Sequence, residues 1–191
     1  MKSDVAKKYE FLKTVGNLKR VARAGWVLKG IHDAESVAEH DFRTAILAEI
    51  YAKEPLDARK IVLTALLNDV AQSRSGDIIW EHGKQQDVRA ANVKANEELR
   101  IAESMLDLVE RPDLKQLLKE YIMQSTPEAR FVKELDKIEM VLQALEYEAE
   151  IVNPQELREF WENAERYIET PELKELFAYL KTQSQIRFTD R

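Results

Sequence analysis

The 191-residue chain is 45% hydrophobic and 34% charged, a balance suited to one globular domain with a sizeable core rather than to disorder or a membrane class. A formal charge of -6 and a pI near 5.3 argue against a protein held mainly on nucleic-acid phosphates, and leave room for a local basic pocket that takes a small phosphorylated ligand. The absence of cysteine excludes disulfides and thiolate metal sites. Without a run of about 18 apolar residues or an apolar segment after Met1, the chain reads as cytoplasmic, with no membrane partner.

Helix signals dominate. Capping patterns and apolar periodicity predict helices over 4–22, 36–53, 57–73, 87–109, 112–124, 127–150, 154–168 and 171–183. Ser36 and Glu39 have capping-box spacing. Thr126-Pro127-Glu128 and Thr170-Pro171-Glu172 each read as N-cap, proline in the first turn, and an acid beside the helix N-terminus. Phe131, Val132, Leu135, Ile138, Leu142 and Leu145 form an apolar stripe that could support a homodimer. Glu146, Glu148 and Glu150 read as a solvated helix end. No segment sustains a two-residue alternation, so the expected class is all-α, a single domain over 1–191 with a core at about 12–150 and C-terminal helices at 154–183.

Chemistry-bearing residues interrupt this pattern at three places. Ile61–Leu67 is apolar nearly all the way round, as in a core helix, and runs directly into Asn68-Asp69. A buried Asp69 without a partner would cost several kcal/mol or be protonated, so a cation, a hydrogen-bond network or a water-filled cavity should compensate it. Upstream stands Ser36-Val37-Ala38-Glu39-His40-Asp41 and downstream Glu134-Leu135-Asp136-Lys137. Imidazole with carboxylates suits a divalent transition metal such as Mn, Co, Fe, Ni or Zn. The loop from Gly76 to Asp87, with Trp80, Glu81, His82 and Lys84, is the one connection of unusual content. His32 and His82 have no second ligand at metal spacing.

His40, the pair Asn68-Asp69 and Asp136 resemble the H…HD…D pattern of HD-domain metal-dependent phosphohydrolases, more narrowly their 5′-deoxynucleotidase branch. Leu18-Lys19-Arg20-Val21, Gly25-Trp26-Val27-Leu28, Glu35–His40, Gly76-Asp77-Ile78, Thr126–Ala129 and Leu135-Asp136-Lys137 follow in the family's order. The resemblance implies an HD-type helical bundle that acts as a homodimer. The implied activity is metal-dependent hydrolysis of nucleoside 5′-monophosphates, 2′-deoxynucleotides above all. His40, Asn68, Asp69 and Asp136 would then hold the metal. Arg23, Trp26 and Arg74 would meet the substrate, and Asp77 and Gln72 would stand beside the attacking water.

The chain departs from that pattern at its centre: Asn68 stands where the family has His, and Gln72 where it has an acid. An Asn carbonyl is a neutral and weaker ligand, and Gln cannot exchange a proton with water. Impaired turnover is therefore the expectation. The alternative function is a catalytically weak nucleotide-binding or scaffold protein of the same fold. The two changes fit a paralogue that kept the pocket and lost the chemistry, and equally a deliberately altered chain.

Overall fold

The structure is a computed structural model that describes residues 3–77 and 88–188. Helix α1 (Asp4–Val15) is capped by Ser3, whose side chain accepts the Ala6 N–H. The continuous helix expected over 4–22 stops at Gly16, where the chain tightens into a 3₁₀ turn over Gly16–Arg20. A short helix that the periodicity did not predict follows as α2 (Ala24–Leu28). It packs so closely on a later helix that a Cβ on Gly25 would meet the Phe160 ring at 3.2 Å. Among the described residues the only β-pairing is one isolated antiparallel bridge, Ala22 to Ser36, in keeping with the all-α expectation.

Helices α3 (Val37–Tyr51), α4 (Ala58–Leu67) and α8 (Pro127–Tyr147) pack against one another and form the framework of the domain. Each starts where its cap predicts. Ser36 and Glu39 make the full capping box, Asp57 accepts the Lys60 N–H, and Thr126 accepts the Ala129 N–H ahead of Pro127. The helix predicted over 57–73 is not continuous. It ends at Leu67, passes through a turn, and resumes as the one-turn α5 (Gln72–Ser75), which Gly76 closes with φ of +75°. Nor is α4 buried on all sides: Ile61, Thr64 and Ala65 face the core, whereas Leu66 is exposed. Its apolar roundness therefore overstated its depth.

Helices α6 (Val88–Leu106) and α7 (Pro112–Met123) form a second apolar cluster with the turn after α4 through Val70, Ala71, Met105, Leu106 and Leu118. The stripe Phe131, Val132, Leu135 and Ile138 is fully inside the domain, with Leu142 and Leu145 partly so, which corrects its reading as a dimer face. Helices α9 (Arg158–Glu165) and α10 (Pro171–Gln183) close over the same core through Phe160, Trp161, Leu173 and Phe177. Two buried carboxylates of α8 and its end tie them down. Glu134 accepts the Glu169 and Thr170 N–H groups, both at 2.8 Å, and so does at the start of α10 what the Thr170 side chain does not. Glu148 accepts from Ser184 Oγ and Gln185 N at 2.5 and 2.6 Å, so it is a structural anchor rather than part of a solvated end.

Candidate metal and nucleotide site

His40 lies one turn into α3, aimed at α8 and fully buried. Its Nε2 is 3.0 Å from Asp136 Oδ1, and its Nδ1 bonds Glu139 Oε2. Asp136 and Glu139 are three residues apart on α8 and therefore share a face. Burial disfavours the imidazolium, but Glu139 and Asp136 outweigh it and push the His40 pKa up to about 10. Burial likewise opposes ionisation of Asp136, yet Lys133 at 3.2 Å, Lys137 at 3.3 Å and His40 hold it well below the usual carboxylate range. Burial lowers Lys137 to about 8 despite that pairing.

Asn68 and Asp69 follow directly on α4, which places them against α3. Asp69 is only partly buried and is well supplied with partners. Gln72 Nε2 donates to Asp69 Oδ1 at 2.6 Å, and Arg23 Nη1 lies 3.5 Å from Asp69 Oδ2. Asp69 is thus compensated, by a hydrogen-bond network and a guanidinium, as its position required. The carboxylate that lacks a direct partner is Asp41, a residue 4% exposed. Neither Asp41 oxygen has a hydrogen-bond partner among the described residues, nor has either amide atom of Asn68. Burial, and then the Asp69 charge, raise the Asp41 pKa well above its ordinary value.

Arg23 precedes α2 and is surrounded by acids: besides Asp69, Glu35 Oε1 is 3.8 Å away, and its pKa is raised despite burial by Asp69, Asp136, Asp77 and Glu35. Asp77, just past Gly76, accepts the Ala24 N–H at 2.8 Å through Oδ2 and so fixes the start of α2 beside Arg23. The structure brings His40, Asn68, Asp69, Gln72, Asp136, Arg23 and Asp77 into one neighbourhood.

The two other residues expected at the substrate, Trp26 and Arg74, make contacts of different kinds, and Trp26 shares Glu35 with Arg23. Trp26 is 1% exposed, stacked on Phe160 with ring centroids 4.2 Å apart, and donates from Nε1 to Glu35 at 2.9 Å; it is a core anchor. Arg74 is exposed and donates to Ser104 Oγ at 3.0 Å, with no bond to the His40 cluster. His32 is exposed. Trp80, Glu81, His82 and Lys84 lie outside the described residues.

Sequence reasoning missed Glu35, Asp41, Lys133 and Glu139. Lys133 and Glu139 each lie three residues from Asp136, so helical spacing alone could have found them. Glu35 is buried between Arg23, Trp26 and Tyr147. Burial, and then Glu139, raise its pKa to about 7.

His40 and these carboxylates fit a divalent cation. Donor atoms of His40, Asp41 and Asp69 lie within 4.8 Å of one another, and a second group of the same reach is Glu35, His40 and Glu139. Both Asp41 oxygens and Gln72 Oε1 are buried without a hydrogen bond, and Asp69 Oδ2 has only the Arg23 ion pair. A neutral structural bundle leaves such atoms unexplained.

The HD domain family matches residues 15–176. The chain belongs to the HD-domain family. It is 34% identical to the 5′-deoxynucleotidase HDDC2 of Mus musculus over 180 residues, 91% of this chain and 86% of the relative. It is 32% identical to the 5′-deoxynucleotidase hdd1 of Schizosaccharomyces pombe over 153 residues, 78% and 77% of the two chains. Among solved structures, a Pyrococcus horikoshii OT3 protein superposes with a TM-score of 0.73 at 30% identity, covering 93% of this chain and 98% of its own. A conserved hypothetical protein from Pyrococcus furiosus gives 0.74 at 26%, with 91% and 99% covered. The all-helical HD-domain fold expected from His40, Asp69 and Asp136 is therefore the fold the chain has.

Proposed function

We propose that this HD-domain protein is a metal-dependent phosphohydrolase acting on nucleoside 5′-monophosphates, 2′-deoxynucleotides above all. The observation that carries this reading is the convergence of His40 on α3, Asp69 in the turn after α4 and Asp136 on α8, beside the partly buried Arg23 guanidinium. The nucleotidases it is similar to over most of its length supply the substrate class. His40, Asp69 and Asp136 would hold the cation, with Asn68 as a neutral or water-mediated neighbour. A divalent ion so held polarises a phosphoryl oxygen and lowers the pKa of water toward neutrality.

The other groups have separable tasks. Arg23 presents a planar guanidinium suited to two phosphate oxygens, and the nucleotide phosphate would replace its partner Asp69. Gln72 can orient a water through its unpartnered Oε1 but cannot take its proton. Asp77, exposed enough to reach solvent, is the remaining carboxylate for proton exchange with the attacking water or the leaving ribose oxygen. Lys133 and Lys137 add positive charge on the Asp136 side.

Asn68 and Gln72 favour a second reading, a nucleotide-binding protein of the same fold with little turnover. Elemental analysis of the purified protein, paired with phosphate release from dAMP, dCMP and dTMP, separates the two. Bound metal with turnover supports the enzyme, and nucleotide binding without phosphate release supports the binder.

Association as a homodimer belongs to the same proposal. With the α8 stripe inside the domain, the apolar residues left for it include Phe42, Ile46 and Ile50, spaced four apart along α3 and exposed. Sedimentation velocity reads this directly. An intracellular site of action is proposed on composition; no helix among the described residues is long and apolar enough to cross a membrane.

A further inference from the structure

Asp41 has no task in the reading above, and no direct partner holds a carboxylate there, the His40 and Arg23 charges acting on it only without contact. It is buried on α3, one residue after His40, with both oxygens unpartnered and no ion pair among the described residues. Leaving such a group buried without compensation is among the more expensive features a core can carry. One Asp41 oxygen nonetheless lies within 4.8 Å of both a His40 ring nitrogen and an Asp69 oxygen. Donors bound to one divalent ion at about 2.1 Å stand about 3–4.2 Å apart. Small side-chain rotations therefore bring all three onto a single cation. Asn68, whose buried amide is also unpartnered, lies at the same place and brings no charge.

We propose that Asp41 is itself a ligand of the cation, so that the donor set of this chain is His40, Asp41, Asp69 and Asp136. This inference rests on the reading that a cation binds at His40. One imidazole with three carboxylates is a harder and more negative site than one with two imidazoles, and it suits an oxygen-preferring ion such as Mn²⁺. The second acidic group on α3 supplies the anionic donor that an amide at position 68 cannot.

The test is calorimetric titration of Mn²⁺ into the chelator-stripped full chain and into Asp41→Asn and Asp136→Asn, with folding checked by circular dichroism. The expected result is that both substitutions weaken Mn²⁺ binding tenfold or more. Unchanged affinity in Asp41→Asn with loss in Asp136→Asn overturns the role of Asp41 and leaves the cation site standing. Equal affinity in all three proteins, or no binding by the unaltered chain, overturns the site itself and the proposal with it. Should Asp41→Asn fail to fold, Asp41→Ser is read in the same way.

Discussion

Asp41 and Asp69 place carboxylate oxygens within 4.8 Å of each other and of His40, but only Asp69 is partnered, by Gln72 and Arg23. This asymmetry predicts opposite responses to the same isosteric change. In chelator, Asp41→Asn removes an uncompensated buried acid and should raise stability, by about 1–3 kcal/mol. Asp69→Asn gives up the Arg23 pairing and should be neutral or destabilising. Thermal melts of the two variants in excess EDTA check this, and a lower Tm for Asp41→Asn than for Asp69→Asn would sink it.

Excess metal should favour the unaltered protein over both variants. Each variant loses a donor in the arrangement argued above, so the unaltered protein alone gains the full linkage stabilisation from binding. Melting the same proteins in millimolar Mn²⁺ should leave the unaltered chain gaining more in Tm than either variant.

Glu35 sets a pH dependence. Its carboxyl is raised to about 7 by burial and by Glu139. A raised acid binds its proton more tightly when folded than unfolded. Stability is therefore highest below the unfolded value and falls as pH rises through the folded one. His40, raised to about 10, works in the same direction at higher pH, its contribution being lost between its unfolded value near 6.5 and 10. Metal-free protein should thus lose stability steadily from about pH 4.5 upward. Glu35→Gln should lessen the loss between about pH 4.5 and 7 by about 1–3 kcal/mol, leaving the share that Asp41, also raised, contributes. Urea denaturation across that range is the measurement. An unchanged slope in Glu35→Gln would show that another group sets it.

Much of this was legible beforehand because helix starts are written locally. Ser36, Asp57 and Thr126 cap the three framework helices, and α3 and α8 carry His40 and Asp136, which meet at 3.0 Å. What the pattern could not show was depth. A strand of apolar residues such as Ile61–Leu67 looks the same whether one face or all faces are covered, and Leu66 is exposed. The α8 stripe reads as an available apolar face in the sequence, yet tertiary packing places it inside. Asp41 was hidden for the converse reason: a charged residue beside a ligand histidine looks solvated until the helix facing it is known.

Asn68 is the first site to repair. Its side-chain amide is buried beside the Tyr121 hydroxyl and directly precedes Asp69, so an imidazole there meets the interior rather than solvent. Asn68→His should tighten Mn²⁺ or Co²⁺ binding, with Co²⁺ gaining more because it favours nitrogen donors. Titration calorimetry with both ions is the check, and equal affinities before and after would place the metal elsewhere.

Turnover should respond to positions 68 and 72 together. As it stands, the chain should release phosphate from deoxynucleoside monophosphates slowly or undetectably. In the proposed site an amide at 68 would be a weaker donor than an imidazole. Gln72, which donates to Asp69 at 2.6 Å, occupies the place of an acid without its proton chemistry. A positioned acid or base contributes about 10²–10⁴-fold. Groups that act as a unit do not contribute additively, so restoring one while the other is missing recovers little. Asn68→His with Gln72→Glu should therefore exceed the product of the two single gains. Phosphate release by the four proteins at saturating Mn²⁺ decides it. Robust turnover by the unaltered chain would show that Asp77 and the existing ligands suffice, and a double variant no better than its parts would show that the two positions serve separate steps.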